Sequence, residues 1–241
     1  MRKYSLYLFL TVILIHSCAS FKAEQQTAAL TFPELGSIIK TRGALWYSTS
    51  EQVGLPQWSA PIKVQLQQLP FNPLSYTAYA EYMANAGKIN SIAYRDSLPY
   101  KPKYIRLQLL DKIRLTNELN SESNKQVMAY LENDSDCKIV TRMDFTVPET
   151  IMPFFETADN VLLKQDTFNK VQLVLVNGGK EEIIDFSQIQ VFDFEYSSFC
   201  WGEDRYHKKQ IENIVPVGEK CPKGTYVKPE KVKTEKSYLK F

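Results

Sequence analysis

The sequence predicts a mainly β protein, built as an antiparallel β-sandwich with two short helices that cap it. Three observations lead to this fold class. Several segments alternate apolar and polar residues with period two, turn-forming residues separate these segments at short intervals, and strands never alternate with long helices. Asn177-Gly178-Gly179 is the clearest turn signal, because these residues tolerate positive φ angles and suit a hairpin.

The first half of the chain contains strands separated by loops. Strands are predicted at residues 37–47 and 61–67, with a loop at residues 48–60 in which Gly54 and Pro56 interrupt any regular pattern. The second of these strands alternates apolar and polar side chains. One of its faces is therefore expected to lie in the core.

Two short helices are predicted to cap the sandwich. The first begins near Ser75 and ends at Gly87, since glycine favours helix C-termini. Its apolar side chains recur with helical spacing, and they are Tyr76, Tyr79, Ala80 and Met83. The second helix begins at Ser123, which is predicted to form a capping box with Gln126, each side chain accepting the backbone N–H of the other residue.

Residues 104–115 fit both a strand and a helix. The strand is favoured, because the apolar alternation is longer than the helical one and prolines bound its start. In a strand, Asp111 would share a face with apolar residues. It would then be either a buried carboxylate with a raised pKa or part of a structural turn or ion pair, and the second interpretation is the simpler one.

The second half of the chain is predicted to be almost entirely β. Five strands are expected, at residues 138–147, 161–164, 170–176, 181–184 and 189–199. An acidic turn at residues 133–136 precedes them. It lacks the central glycine and the late glutamate of a calcium-binding loop, so no calcium site is predicted there.

The N-terminus has the pattern of an export signal. Arg2 and Lys3 give it a positive start, and residues 6–15 form a continuous apolar run. A positive segment followed by a short apolar segment is typical of secretory signal peptides. The run is shorter than the roughly 20 residues that a membrane-spanning helix requires.

The end of this leader, Ile15-His16-Ser17-Cys18, resembles the lipobox of bacterial lipoproteins. Ile15, Ser17 and Cys18 fit the pattern, whereas His16 stands where a small residue is commoner. The resemblance implies cleavage before Cys18, palmitate-type acylation of this cysteine and anchoring in the bacterial outer membrane, with the body facing the periplasm or the cell surface. The alternatives are a plain secretory signal with an incidental cysteine, or an uncleaved anchor.

The resemblance implies a signal peptide at residues 1–17 and a lipidated tether at residues 18–28. A β-rich globular domain at residues 29–218 and a basic C-terminal tail at residues 219–241 are expected to follow. The tail holds seven Lys and three Glu, and charged ends of this kind are commonly solvated. A division into two small β units near residues 117–124 is the alternative, although no flexible linker marks it.

Three cysteines remain when Cys18 is taken as the lipid site. Compartments outside the cytoplasm permit disulfides, and Cys200 and Cys221 are the predicted pair because both lie in the irregular C-terminal region. Cys137 is then expected to be a free thiol, buried at the start of a strand. The alternative is that all three are reduced and buried.

The residue inventory argues against several enzyme classes. Beyond the leader, His207 is the single histidine and lies among charged residues, which suggests a surface loop rather than a catalytic triad or a zinc site. No C-x-x-C, P-loop, G-x-G-x-x-G or G-x-S-x-G motif is present. No catalytic residue, metal or cofactor is predicted. A hydrolase with two carboxylates from distant loops stays open, because such a pair leaves no linear motif.

Aromatic residues are abundant, with 14 Tyr, 13 Phe and 3 Trp. Trp58 and Trp201 lie in or beside predicted loops and are the best candidates for rings that face a ligand, although most aromatics in a β-sandwich fill the core.

Two hypotheses follow. The first is a non-enzymatic envelope lipoprotein that acts as an interaction or structural module, an accessory of an outer-membrane or surface assembly with a protein partner. The second is a glycan-binding lipoprotein of a polysaccharide-uptake system. Nucleic acid is not an expected partner, because the formal net charge of the chain is only +2.

Overall fold

The computed structural model describes residues 32–44 and 47–232, without the side chains of residues 42–49. The predictions for the signal peptide, for Cys18 and for the tether lie outside the described residues, as do residues 233–241. In the described part the chain is mainly β and antiparallel, with a few short helices, which confirms the predicted fold class.

The described strands are β1 (Ile38–Ala44), β2 (Tyr47–Gly54), β3 (Ile62–Pro70), β4 (Lys103–Leu109), β5 (Cys137–Thr146), β6 (Asn160–Gln165), β7 (Val171–Asn177), β8 (Lys180–Asp185), β9 (Gln190–Glu203) and β10 (Lys209–Pro216). The α-helices are α1 (Pro73–Asn85), α2 (Lys112–Leu119), α3 (Lys125–Asn133) and α4 (Met152–Thr157). Short 3-10 turns cover Glu122–Asn124, Phe186–Gln188 and Pro229–Lys231.

All strand pairings are antiparallel and join into one network with the order β10-β9-β5-β4-β3-β6-β7-β8. The network forks at β5, whose first residues pair with β1 while its later residues pair with β4. Strand β2 continues the β1 branch. The predicted hairpin at Asn177-Gly178-Gly179 joins β7 and β8, and both glycines have positive φ.

The main hydrophobic core contains residues of nine strands and of helices α2, α3 and α4. A second, aromatic cluster lies beneath α1 and consists of Phe71, Tyr79, Met83, Tyr104 and Phe192. Tyr104 belongs to this cluster, whereas its neighbour Ile105 belongs to the main core, so β4 separates the two.

The first predicted helix is confirmed as α1. It begins slightly earlier than expected, because the Asn72 side chain accepts from the backbone N–H of Ser75 and the two residues form a capping box. Tyr79 and Met83 of the predicted stripe are buried. Gly87 follows the helix with a φ of +62°, a conformation that glycine adopts without strain.

Two other local predictions are wrong. Residues 48–54, predicted as part of a loop, belong to β2. The strand predicted over residues 104–115 ends at Leu109, because the Asp111 side chain accepts from the backbone N–H of Arg114 at 2.9 Å and thereby caps α2. Asp111 is thus a helix cap, which agrees with the simpler, structural interpretation of this residue.

The second predicted helix exists as α3 but lacks the predicted capping box. It begins at Lys125, after a 3-10 turn, and the hydroxyl of Ser123 bonds with that of Ser121 instead. Strand β10 and helix α4 were not predicted.

The C-terminal segment from Glu219 to Val232, predicted as part of a solvated tail, has mostly exposed side chains but is attached to the folded body. Trp201 and Tyr226 exchange two backbone hydrogen bonds, of 2.7 and 2.9 Å. Pro229 and Val232 are buried. None of the helices in the described part is both long and apolar enough to cross a membrane.

Candidate functional site

The structure buries both tryptophans that were expected to face a ligand. Trp58 is 7% exposed and Trp201 is 1% exposed, and both belong to the main core. The prediction that these rings are available to a ligand is therefore wrong. Their position beside loops reflects chain connectivity, whereas their side chains point inward.

The loop that carries Trp58 is fixed by side chains from distant elements. Gln165 accepts from the Trp58 N–H at 2.7 Å and donates to the Pro56 carbonyl at 2.8 Å. Asn124 accepts from the Gln57 N–H at 2.8 Å and donates to its carbonyl at 2.7 Å. With the backbone satisfied in this way, the loop holds the indole in the core without belonging to a strand.

The cysteine predictions are confirmed. Cys200 and Cys221 form a disulfide, and Cys137 is a buried free thiol at the first position of β5. Burial raises the pKa of the Cys137 thiol to about 11, so its nucleophilic thiolate is scarce near neutral pH.

His207 lies at the β9–β10 turn, exposed, as the surface-loop prediction requires. Its φ of +61° reflects turn geometry, and its ring bonds to Glu203 at 3.0 Å. Within the described ranges, no group of three or more His, Cys, Asp or Glu side chains is arranged to hold a metal ion.

The best candidate site is a cleft of about 810 Å³ at one end of the sheet. One wall is the loop at residues 86–102, which joins α1 to β4 without any helix or strand. The opposite walls are residues 147–152 and residues 187–190. Connections of this length without secondary structure are uncommon in compact domains, and they are usually either functional loops or disordered linkers.

Three strands place polar groups in this cleft. Lys103 begins β4, Thr146 ends β5 and Gln190 begins β9, so the cleft opens where these three neighbouring strands meet. Lys88 from the long loop and Glu149 from the opposite wall add one charge each. Apolar side chains complete the lining, including Ile92, Ile151 and Ile189.

The long loop is held to α1 by an ordered set of contacts. Tyr94 stacks on Tyr76 with ring centroids 4.8 Å apart. The Tyr94 hydroxyl donates to Asp96, which Lys101 also approaches at 2.6 Å. Asn90 donates to the Tyr76 hydroxyl at 3.0 Å. These contacts give the cleft a preformed wall, which lowers the entropy cost of binding.

The inner end of the cleft carries the phenol of Tyr79, whose residue is 1% exposed. Burial raises the pKa of Tyr79, while its hydrogen bond with Ser91 opposes that shift. The phenol is therefore a neutral hydrogen-bonding group at physiological pH. A ring this deeply buried offers no face for stacking on a sugar.

A cluster of carboxylates and arginines lies beside the aromatic cluster, on one face of the neighbouring strands β4, β5 and β9. Arg106 donates to both oxygens of Asp144, at 2.8 and 2.7 Å, and Asp144 is almost fully buried. Arg142 lies 3.6 Å from the same carboxylate and also contacts Asp193 and Glu195. Burial, together with the charge of Asp144, raises the pKa of Asp193.

Sequence reasoning missed both the cleft and the cluster. The cluster had a weak signal, since Arg106, Asp144 and Asp193 occupy polar positions of predicted alternating strands. Only strand register shows that they face one another. One feature of the sequence indicated the cleft, namely the length of the segment between α1 and β4.

Comparison with protein-family models, with curated proteins and with solved structures found no match.

Proposed function

We propose that this chain is a lipid-anchored protein of the bacterial outer membrane, acylated at Cys18, that acts as a non-enzymatic interaction module. The lipobox-like segment supports the anchor. In this proposal the cleft receives a protein partner of an envelope assembly, and the partner inserts a segment between the loop at residues 86–102 and the wall at residues 147–152.

The observation that carries the proposal is the preformed loop wall. Its residues are mostly exposed, yet they are ordered by stacking and hydrogen bonds to α1. The lining mixes apolar side chains with two lysines, one glutamate and neutral polar groups. Such a mixture suits a peptide segment, which presents both apolar side chains and backbone polar groups.

The glycan-binding alternative has lost the observation that motivated it. It rested on exposed tryptophans, and Trp58 and Trp201 are buried. Within the cleft, the aromatic ring of Tyr79 is also buried. Glycan binding is therefore not proposed for this protein.

The test is a pull-down of the lipidated protein from membranes dissolved in mild detergent, with intact-mass analysis of the bait. We expect acyl mass on Cys18 and a stoichiometric envelope protein. Ser91→Trp, which places a large side chain inside the cleft, is expected to abolish co-purification. Ser97→Trp is the matched control, because Ser97 lies on the same loop, is exposed and does not line the cleft.

Three results would contradict the proposal. Unmodified Cys18 in native membranes would remove the lipid anchor. Equal recovery of a partner with both variants would show that the partner binds elsewhere. Purification of the wild-type protein alone, under conditions that preserve other envelope complexes, would count against an interaction module altogether.

A further inference from the structure

Two hairpins of the sheet have the same turn and the same sequence pattern. Residues 166–170 (DTFNK) join β6 to β7, and residues 204–208 (DRYHK) join β9 to β10. In each turn the aspartate side chain accepts two backbone N–H groups, and the fourth residue has a positive φ, of 61° in both cases. This is a three-residue hairpin loop closed by a bulge.

Each turn places an aromatic side chain at its tip. Phe168 is 88% exposed and Tyr206 is 64% exposed. A single exposed ring is ordinary, but here the same turn presents one twice. Because the aspartate already fixes the backbone of each turn, neither ring is needed to hold its turn.

Both hairpins lie at the same end of the strand network. The order β9-β5-β4-β3-β6 contains four antiparallel steps, so β6 and β9 run the same way and their hairpins emerge at the same end. Strand β4 also ends there and leads into α2, where Ile113 is 77% exposed. The cleft lies at the opposite end of β4, β5 and β9.

Basic side chains surround the tip of the β9–β10 hairpin. Arg205 lies over the ring of Tyr206, with the guanidinium carbon 4.7 Å from the ring centroid. Lys208 and Lys209 follow His207, and in the described residues none of these three cations forms a salt bridge. In the same hairpin, Asp204 accepts from the backbone of the turn and Glu203 bonds to His207.

We propose that these two hairpin tips rest in the headgroup region of an anionic phospholipid bilayer, with Phe168 and Tyr206 below the phosphates and the cations beside them. This inference rests on the proposed lipid anchor, and it adds an orientation. The body stands with its hairpin end on the membrane, so the cleft faces away from the membrane toward its partner.

The features of this end favour a bilayer over a protein surface. The rings lie on separate hairpins rather than in one continuous apolar patch, and a fluid interface accepts separate rings without matched pockets. Tyrosine is enriched at membrane interfaces because its ring is apolar and its hydroxyl is polar, and long cationic side chains place their charge in the polar layer. Thirteen residues separate Cys18 from Phe32, and over these fourteen steps the tether can span at most about 50 Å between the anchor and the body.

The experiment uses the full lipidated protein in vesicles of phosphatidylethanolamine and phosphatidylglycerol whose acyl chains are brominated near the headgroup. Phe168→Trp and Tyr206→Trp place a fluorescent reporter at each tip, and the signal of the wild-type protein in the same vesicles is subtracted. Tyr100→Trp is the control, because Tyr100 is 91% exposed and belongs to the loop at the cleft end. We expect bromine to quench both tip reporters several-fold more strongly than the control.

Replacing Arg205 and Lys208 by glutamate in the Tyr206→Trp protein is expected to reduce this quenching. A vesicle-bound protein whose tip reporters are quenched no more than the control overturns the bilayer contact and leaves the anchor standing. Tip reporters that shift to the blue only in native membranes, without quenching in vesicles, overturn it in favour of a protein contact. A protein that does not associate with vesicles overturns both the anchor and the contact.

Discussion

Asn120, at the end of α2, pairs with both backbone groups of Ile211 in β10. Its amide donates to the Ile211 carbonyl at 2.7 Å and its side-chain oxygen accepts from the Ile211 N–H at 3.0 Å. One side chain thereby acts as a neighbouring strand would, at a point where the register of β10 against β9 is irregular. Asn124 makes the same two-way pair with Gln57.

The first prediction concerns this pair. Asn120→Ala is expected to lower the free energy of unfolding by about 2 kcal/mol, because it leaves two backbone groups of a buried residue without partners. Asn133→Ala is the control, since the Asn133 amide bonds only within its own exposed helix turn, and about 0.5 kcal/mol or less is expected. Denaturant unfolding measures the stability of both variants. Equal losses would show that the hydrogen bonds to Ile211 stabilise the protein no more than the Asn133 bond does.

The buried carboxylate of Asp144 gives the second prediction. Arg106→Met is expected to cost about 3 kcal/mol, because it removes both short hydrogen bonds and leaves a nearly buried charge with Arg142 alone. Arg106→Met combined with Asp144→Leu is expected to recover most of this loss, since a buried ion pair can be replaced by apolar groups at little net cost. Thermal and urea unfolding of the two variants measure the loss of stability and its recovery. A double variant less stable than the single one would contradict this account.

Gly36 carries the third prediction. Its φ is +83°, and a Cβ there would lie 3.3 Å from the ring of Trp58. Gly36→Ala is expected to destabilise the protein by about 2 kcal/mol through backbone strain and crowding of the indole. Gly54→Ala is the matched control, because that position has ordinary φ and open space around it. If both glycines tolerate alanine equally in urea unfolding, the Trp58 packing is looser than described.

The disulfide gives the fourth prediction. Cys221→Ser is expected to lower the free energy of unfolding by about 3 kcal/mol, the loop-closure contribution for a crosslink of this separation. The segment from Glu219 to Val232 should also become sensitive to protease, because its link to β9 is lost. Cys137→Ala is the control, since Cys137 is not bonded. A Cys221→Ser protein with wild-type protease resistance would mean that the Tyr226 bridge and the buried Val232 suffice.

Acid sensitivity is the fifth prediction. The Lys170 ammonium, together with hydrogen bonds from Ser187, lowers the pKa of Asp185 to about 2. The folded pKa lies below the unfolded value of about 4, so the contribution of this group is complete above pH 4 and is lost as pH falls toward 2. Asp185→Asn, which can still accept from the Ser187 N–H, is expected to flatten the dependence of unfolding free energy on pH in this window. An unchanged slope would show that other carboxylates account for it.

Local patterns predicted much of the fold. Alternation located β3, β5 and β9, an apolar run and the Asn-Gly-Gly turn located β7 and β8, and the helical stripe located α1, because these signals depend on neighbouring residues alone. The Cys200–Cys221 pair was also predicted, since both cysteines lie in the C-terminal region. The leader and the acylation of Cys18 remain predictions.

The failures have different physical causes. Trp58 lies in a loop, but Gln165 and Asn124 bind that loop from more than 60 residues away, and no local pattern records such contacts. Asp111 changed a strand into a helix by capping one backbone N–H. The C-terminal residues read as a charged tail, yet backbone pairing with Trp201 and the burial of Val232 hold them to the body.

The sequence by itself determined the fold class, the disulfide pair and the resemblance to a lipoprotein leader, because each depends on residues close in the chain or few in number. Only the tertiary structure decided where the cleft lies, which rings are buried, and that the hairpins of Phe168 and Tyr206 lie at the same end of the strand network. These properties follow from strand register and from side chains that meet across long separations, and both are set by the packing of the whole core.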